Sequence, residues 1–250
     1  MLKENGFSLG DFGITYAHME VECELPDADI GPSPNEIKRR IESLNPQQRA
    51  AFNKISFALE FEESPNRCFF IDGPGGSGKT YLYNTIIDWA IENGKFVKIY
   101  ALSGIASTLL KGGRTLHSSF KLPLNFNINS KCNVDENSKE GRMFRNVDLI
   151  LIDEISMVPK RMLQCIDTFL RNVGNKKLPF GGKVVIVGGD FRQTLPVVPH
   201  GSKNDIVKTC VKMAPVWRRF EKLELRENMR SVGQKEFNHW LLEVGNGNSD

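Results

Sequence analysis

The segment Gly73-Pro74-Gly75-Gly76-Ser77-Gly78-Lys79-Thr80 matches the pattern G-x-x-x-x-G-K-[ST] at every fixed position, and that pattern works only between a strand and a helix. Glycines let successive backbone N–H groups turn toward one anion, and the helix that follows adds the partial positive charge of its N-terminus. The flanks supply both elements. Arg67 to Asp72 is a short apolar run ending at the loop, and Leu82, Ile86 and Ala90, with Tyr83, Ile87 and Ile91, recur at helical spacing until Asn93-Gly94. The expectation is a nucleoside triphosphate held on Gly73 to Thr80, with Lys79 at the β- and γ-phosphates and Thr80 on Mg²⁺. The alternative is a glycine-rich turn that holds nothing.

Three further apolar runs read as strands: Phe96 to Ala101, Val147 to Ile152 and Lys183 to Val187. Between them lie a helix opened by Ser103-Gly104-Ile105-Ala106 and an amphipathic helix over 159–173, whose Met162, Cys165, Ile166, Phe169, Leu170 and Val173 share one face. Upstream, Asn45 is a good N-cap and Pro46 suits the first helical position, with Phe52, Ile55 and Leu59 as the apolar stripe. Strands alternating with helices predict an α/β fold, a parallel sheet covered on both faces. Residues 1–43 read as an extension with a linker at 26–35, because Pro26, Gly31, Pro32 and Pro34 break regular structure, although Phe7, Leu9 and Phe12 offer docking side chains. The stretch 121–146, dotted with asparagines, reads as a long surface insertion.

A length of 250 residues, 40% hydrophobic and 25% charged, is that of an ordinary globular protein with a sizeable core. A net charge of +3 is too small to argue for nucleic acid unaided. No run approaches a membrane span of about 18 apolar residues and none resembles a signal peptide, so a soluble intracellular chain is expected. Cys23, Cys68, Cys132, Cys165 and Cys210 are scattered and odd in number, which suggests reduced thiols rather than disulfides or a zinc site.

Asp153-Glu154 directly follows the third strand, at the carboxyl edge where the phosphate loop also sits. Phosphoryl transfer to water needs a metal to neutralise the phosphate oxygens and a group to take the water's proton, so Asp153 is the expected metal partner and Glu154 the expected general base. Gly188-Gly189-Asp190-Phe191-Arg192-Gln193 repeats the placement after the fourth strand, where Gln193 offers a neutral hydrogen bond to a γ-phosphate or a water.

The phosphate loop, Thr115-Leu116-His117-Ser118, Ile152 to Met157, Pro179-Phe180-Gly181-Gly182-Lys183, Gly189 to Pro196 and Leu225-Arg226-Glu227-Asn228-Met229-Arg230 together closely resemble the PIF-one family of DNA helicases. The Phe-Gly-Gly-Lys and Gly-Asp-Phe-Arg-Gln segments resemble most the branch carried by Helitron transposons, as do Asn5 to Leu9 and Asp11 to Gly13 more weakly. The resemblance runs from Leu44 to about Gly245. It implies a P-loop NTPase with a RecA-like sheet, using ATP and Mg²⁺ to move 5′ to 3′ on single-stranded DNA and to open junctions with duplex. Repair, recombination, telomere maintenance or transposition would be the setting, a monomer the working form, and the nucleus, or else the mitochondrion, the compartment.

The resemblance also carries roles residue by residue. Gln48 matches a glutamine that reads the adenine edge, although three residues after the N-cap it also suits a capping box. Gln193 matches a γ-phosphate sensor, and Arg230 an arginine that approaches the phosphates from a second lobe, with Arg192 and Arg226 as lesser candidates. Ser103, Gly104, Thr115, His117 and Ser118 match segments that touch the single strand, where small hydroxyls and backbone N–H groups suit phosphate contact. Phe120 and Phe126 are candidates for stacking, with packing favoured for Phe120. Residues 44–220 would form a first lobe and 221–250 the start of a second. On that reading the chain alone binds ATP·Mg²⁺, hydrolyses it slowly and does not unwind duplex. A phosphate-loop ATPase that remodels a partner and a non-catalytic ATP- or DNA-binding relic are the alternatives.

Overall fold

In the computed structural model, residues 31–124, 126–127, 129–193, 201–229, 240 and 244 are described. Six strands, β1 (Cys68–Asp72), β2 (Val97–Ala101), β3 (Arg114–Thr115), β4 (Leu149–Asp153), β5 (Val184–Gly189) and β6 (Glu221–Glu224), form one sheet in the order β3-β2-β4-β5-β1-β6. Every pairing is parallel. Eight α-helices accompany them among the described residues, besides short 3-10 turns: α1 (Pro34–Glu42), α2 (Pro46–Glu60), α3 (Lys79–Glu92), α4 (Gly104–Thr108), α5 (Leu116–Phe120), α6 (Lys139–Asn146), α7 (Lys160–Val173) and α8 (Lys203–Thr209).

The apolar runs are continuous because both sheet faces are covered, and the period of two sorts each strand between two cores. Phe69, Ile71, Leu149, Leu151, Val184 and Ile186 point to the face packed by α2 and α3. Phe70, Ile150, Ile152, Val185 and Val187 point to the opposite face, with Phe120, Phe144, Met162, Ile166, Phe169 and Leu170 of α5, α6 and α7. Each aliphatic or aromatic side chain so buried contributes about 1.5–3 kcal/mol relative to exposure. The parallel order brings all carboxyl ends to one edge, and the site is built there.

Three expectations about organisation change. Residues 34–42 form α1 rather than the end of an irregular extension: Ile37 is buried, and Arg40 reaches Asp88 of α3 at 2.8 Å. The insertion at 121–146 is anchored rather than purely superficial: Leu122, Cys132, Val134 and Phe144 are buried in the α7-side core, and Phe144 stacks with Phe120 at 4.7 Å. Glu221–Glu224 do not open a separate lobe: as β6 they extend the same sheet, with Ile71 opposite Leu223 and Asp72 opposite Glu224. The extension at 1–30, including Phe7, Leu9, Phe12 and Cys23, lies outside the described residues.

Pro179-Phe180-Gly181-Gly182-Lys183 is structural. Gly181 and Gly182 take positive φ, Gly182 O accepts from Arg67 Nε at 2.7 Å, and the buried Lys183 ammonium donates to Arg145 O and Val147 O, both at 3.0 Å. Burial pulls the Lys183 ammonium below its ordinary value, and Asp148 opposes this.

Candidate active site

Register places the chemistry. Asp72 ends β1 opposite Gly189 of β5, so the loop that follows at Gly73 emerges beside Asp190. Gly76 and Gly78 sit at φ 84° and 78°, where a side chain would be strained, and a Cβ on Gly78 would collide with the Gln48 amide. Lys79 opens α3, and its ammonium donates to the loop's own carbonyls, Gly73 O at 2.7 Å and Pro74 O at 3.1 Å. Burial draws this ammonium below its usual range, while Asp153, Asp190 and Asp72 pull the other way. The Ser77 hydroxyl is buried inside the loop without a hydrogen-bond partner, and Thr80 is exposed at the first turn of α3. An unpartnered buried hydroxyl and a cation satisfied only by carbonyls fit a loop that takes phosphate oxygens.

Asp153 closes β4 opposite Ala101 of β2. Burial raises its carboxyl above the ordinary value, against a hydrogen bond from the Glu154 backbone and the charge of Lys79. A half-buried carboxylate that needs more positive charge is a hard oxygen donor of the kind Mg²⁺ takes. Behind it stands Tyr83 of α3, fully buried, its hydroxyl against Gly188 with no partner of ordinary hydrogen-bond geometry. Burial, and after it the Asp153 charge, push this phenol well above its usual value.

Glu154 follows in the left-handed region, φ 56° and ψ 37°, a conformation that costs a residue with a side chain about 1–3 kcal/mol and clusters at functional sites. Its Oε2 accepts from Ser103 Oγ at 3.1 Å. Asp190 is buried and accepts from the backbone N of Arg192 at 3.1 Å and from its Nε at 2.7 Å. That turn, closed by Gln193 N on Asp190 O at 3.2 Å, aims Gln193 over the loop: its Nε2 is 3.2 Å from where a Gly75 Cβ would stand.

The structure therefore brings Gly73 to Thr80, Asp153, Glu154 and Gln193 to one sheet edge. Gln48 is buried in a closed capping box with Asn45, and its Nε2 donates to Ser77 O at 3.3 Å, so both ends of its amide are engaged within the chain. Arg192 pairs with Asp190 at 2.7 Å and, through Nη2, with Asp72 at 3.7 Å, and Arg226 pairs with Glu224 at 2.8 Å. Arg230 lies outside the described residues. Ser103, Gly104, Thr115, His117 and Ser118 gather at the neighbouring ends of β2 and β3, where Ala101 pairs with Thr115. Ser103 and Thr115 cap α4 and α5, and Thr115 Oγ1 lies 2.8 Å from Ser118 Oγ. Phe120 is fully buried, while Phe126 is half-buried with its ring 6.4 Å from His117.

Sequence reasoning missed how the chain after β6 returns over the loop. Leu225 N donates to Asp72 O and Met229 N to Gly76 O, both at 2.8 Å, and Arg226 N donates to Gln47 Oε1 at 2.7 Å. It missed Tyr83 as well, whose helical spacing marked it as core and gave no sign of the carboxylate beside its hydroxyl.

Residues 43–250 match the family model described as PIF1-like helicase. Among curated proteins, the ATP-dependent DNA helicase Pif1 of Bdellovibrio bacteriovorus is 37% identical over 139 residues, covering 54% of this chain and 30% of that protein. The ATP-dependent DNA helicase PIF1 of Candida albicans is 30% identical over 226 residues, covering 84% of this chain and 25% of the other. Among solved structures, Pif1 helicase from Bacteroides in complex with ADP-AlF3 and ssDNA is similar at 29% identity and a TM-score of 0.66, over 80% of this chain and 46% of that one. The chain thus spans less than half the length of these relatives.

Proposed function

Because the chain belongs to the PIF1-like helicase family, we propose that it binds and hydrolyses ATP with Mg²⁺ as part of an ATP-dependent DNA helicase that moves 5′ to 3′ on single-stranded DNA and acts at junctions with duplex. The observation that carries this reading is the convergence of the phosphate loop, Asp153-Glu154 and Gln193 at one edge of the sheet, beside the hydroxyls of Ser103, Thr115 and Ser118.

The division of labour follows from chemistry. The loop N–H groups and Lys79 take the β- and γ-phosphate charge, and leaving its carbonyl partners costs the ammonium little because phosphate is the stronger acceptor. Mg²⁺, held by Thr80 and Asp153, would neutralise phosphate oxygens. Glu154 accepts the proton of the attacking water, and Gln193 supplies a hydrogen bond at the γ-phosphate without adding charge. Partly or fully exposed hydroxyls and backbone groups at the ends of β2 and β3 suit sequence-independent contact with a phosphodiester chain.

The test is hydrolysis of ATP by the chain with and without an oligothymidylate. Stimulation of at least about tenfold, with DNA binding that weakens as salt rises, is expected. Hydrolysis indifferent to DNA would favour an ATPase that remodels a partner, and salt-dependent DNA binding with no turnover would favour a non-catalytic role.

A further inference from the structure

The hydrogen bond from Ser103 Oγ to Glu154 Oε2 joins two places that the sequence separates by 51 residues. It follows from the register: Ala101 of β2 lies opposite Asp153 of β4, so Ser103 and Glu154 leave adjacent strands at the same level. The sheet order gives the bond a direction. β2 flanks β4 on one side, while β5 and then β1, which delivers the phosphate loop, lie on the other. With strands about 4.8 Å apart, the loop strand is roughly 10 Å from β4, and a carboxylate tied to the end of β2 is turned away from it. The base is thus held on the far side from the phosphates it would serve.

Ser103 has a single hydroxyl proton. Its oxygen accepts from Ala106 N at 3.2 Å as the N-cap of α4, and the proton goes to Glu154. The capping bond uses a lone pair and is compatible with any partner for the proton. The proton itself serves one acceptor at a time, so a strong anionic acceptor at Ser103 displaces the Glu154 carboxylate. Glu154 is then free to rotate toward the loop from a backbone conformation already strained at φ 56°.

We propose that Ser103 is a positioning residue that restrains the Glu154 carboxylate away from the phosphate loop, and that a DNA backbone phosphate taking the Ser103 proton releases it, so that strand binding switches the general base on. The second half rests on the DNA-dependent function proposed above, whereas the restraint itself does not.

The experiment compares wild type, Ser103→Ala and Ser103→Thr, each with and without saturating oligothymidylate, under single-turnover conditions. Ser103→Ala should hydrolyse ATP about five- to tenfold faster than wild type without DNA, match the wild-type rate within about twofold with DNA, and keep its apparent affinity for ATP within about twofold. Ser103→Thr, which keeps the hydroxyl, should behave as wild type. A DNA-free rate that is unchanged or lower in Ser103→Ala overturns the restraint. A wild type indifferent to DNA, with Ser103→Ala still faster, keeps the restraint and rejects the DNA-dependent reading.

A readout independent of turnover is the double-mutant cycle of Ser103→Ala and Glu154→Ala on unfolding, in which the loss of the α4 cap and the change at φ 56° cancel. A coupling of at least about fivefold in the unfolding equilibrium constant is expected without DNA, collapsing toward unity with it. No coupling without DNA overturns the proposal even if no variant turns over.

Discussion

Gly188→Ala is expected to destabilise the chain by at least about 3 kcal/mol and to weaken nucleotide binding with it. Gly188 lies within β5, paired with Ile71 of β1, and faces α3. A Cβ there would coincide with the Tyr83 hydroxyl, with ring carbon Cζ at 2.7 Å and Asp153 Oδ1 at 3.3 Å. Tyr83 is fully buried between sheet and helix, so the ring cannot swing into solvent. Relief requires α3, which carries Lys79 and Thr80, to lift from the sheet. Chemical denaturation measures the loss. Adding Tyr83→Phe to Gly188→Ala should recover only part of it, because Cζ remains in the way. Gly189→Ala, whose nearest atom would be Ile155 Cγ2 at 3.2 Å, should cost less.

Lys79→Ala is expected to weaken ATP binding by about 10- to 150-fold, the worth of one or two hydrogen bonds to a charged group, and to lower hydrolysis by at least about 100-fold. The ammonium sits in the throat of the loop on Gly73 O and Pro74 O, ringed by Asp72, Asp153 and Asp190. Without it those carboxylates would face the triphosphate uncompensated, so Lys79→Ala should lose more affinity for ATP than for adenosine. Titration with a fluorescent ATP analogue and with adenosine gives the two values. Equal losses would mean that Lys79 acts on the loop's shape rather than on phosphate charge.

The four inner strands β1, β2, β4 and β5 were legible because parallel strands buried on both faces are written as unbroken apolar runs: Phe69, Phe70 and Ile71, or Leu149 to Ile152, admit little else, whereas the two-residue edge strand β3 has no such run. The cap at Asn45 and the helix start at Ser103 were legible because side-chain capping is local. β6 was not, since Glu221-Lys222-Leu223-Glu224 buries only Leu223 at a sheet edge. Nor was the folding of 121–146. Leu122, Cys132, Val134 and Phe144 reach one core from positions too far apart to show a period, among asparagines that suggest a loop. α1 was hidden by the prolines before it, with Ile37 and Ile41 as its short apolar signal.

The candidate site divides the same way. Gly73 to Thr80, Asp153, Glu154 and Gln193 could be read because each follows a strand whose end the sequence marks. Gln47 on Arg226 N, Tyr83 beside Asp153 and Ser103 on Glu154 could not, since each depends on register or on segments up to 179 residues apart. Of its two sequence readings Gln48 shows the capping box, and its amide also braces Ser77 O, a contact that depends on register the sequence does not give.

The most direct measurement is ATP hydrolysis by wild type and Glu154→Gln, with and without oligothymidylate, alongside ATP affinity. A base that takes the water's proton contributes about 10²–10⁴ in rate, so Glu154→Gln should bind ATP within about threefold of wild type and lose at least about 100-fold of the DNA-stimulated rate. A Glu154→Gln variant that hydrolyses ATP as fast as wild type in the presence of DNA would contradict the account.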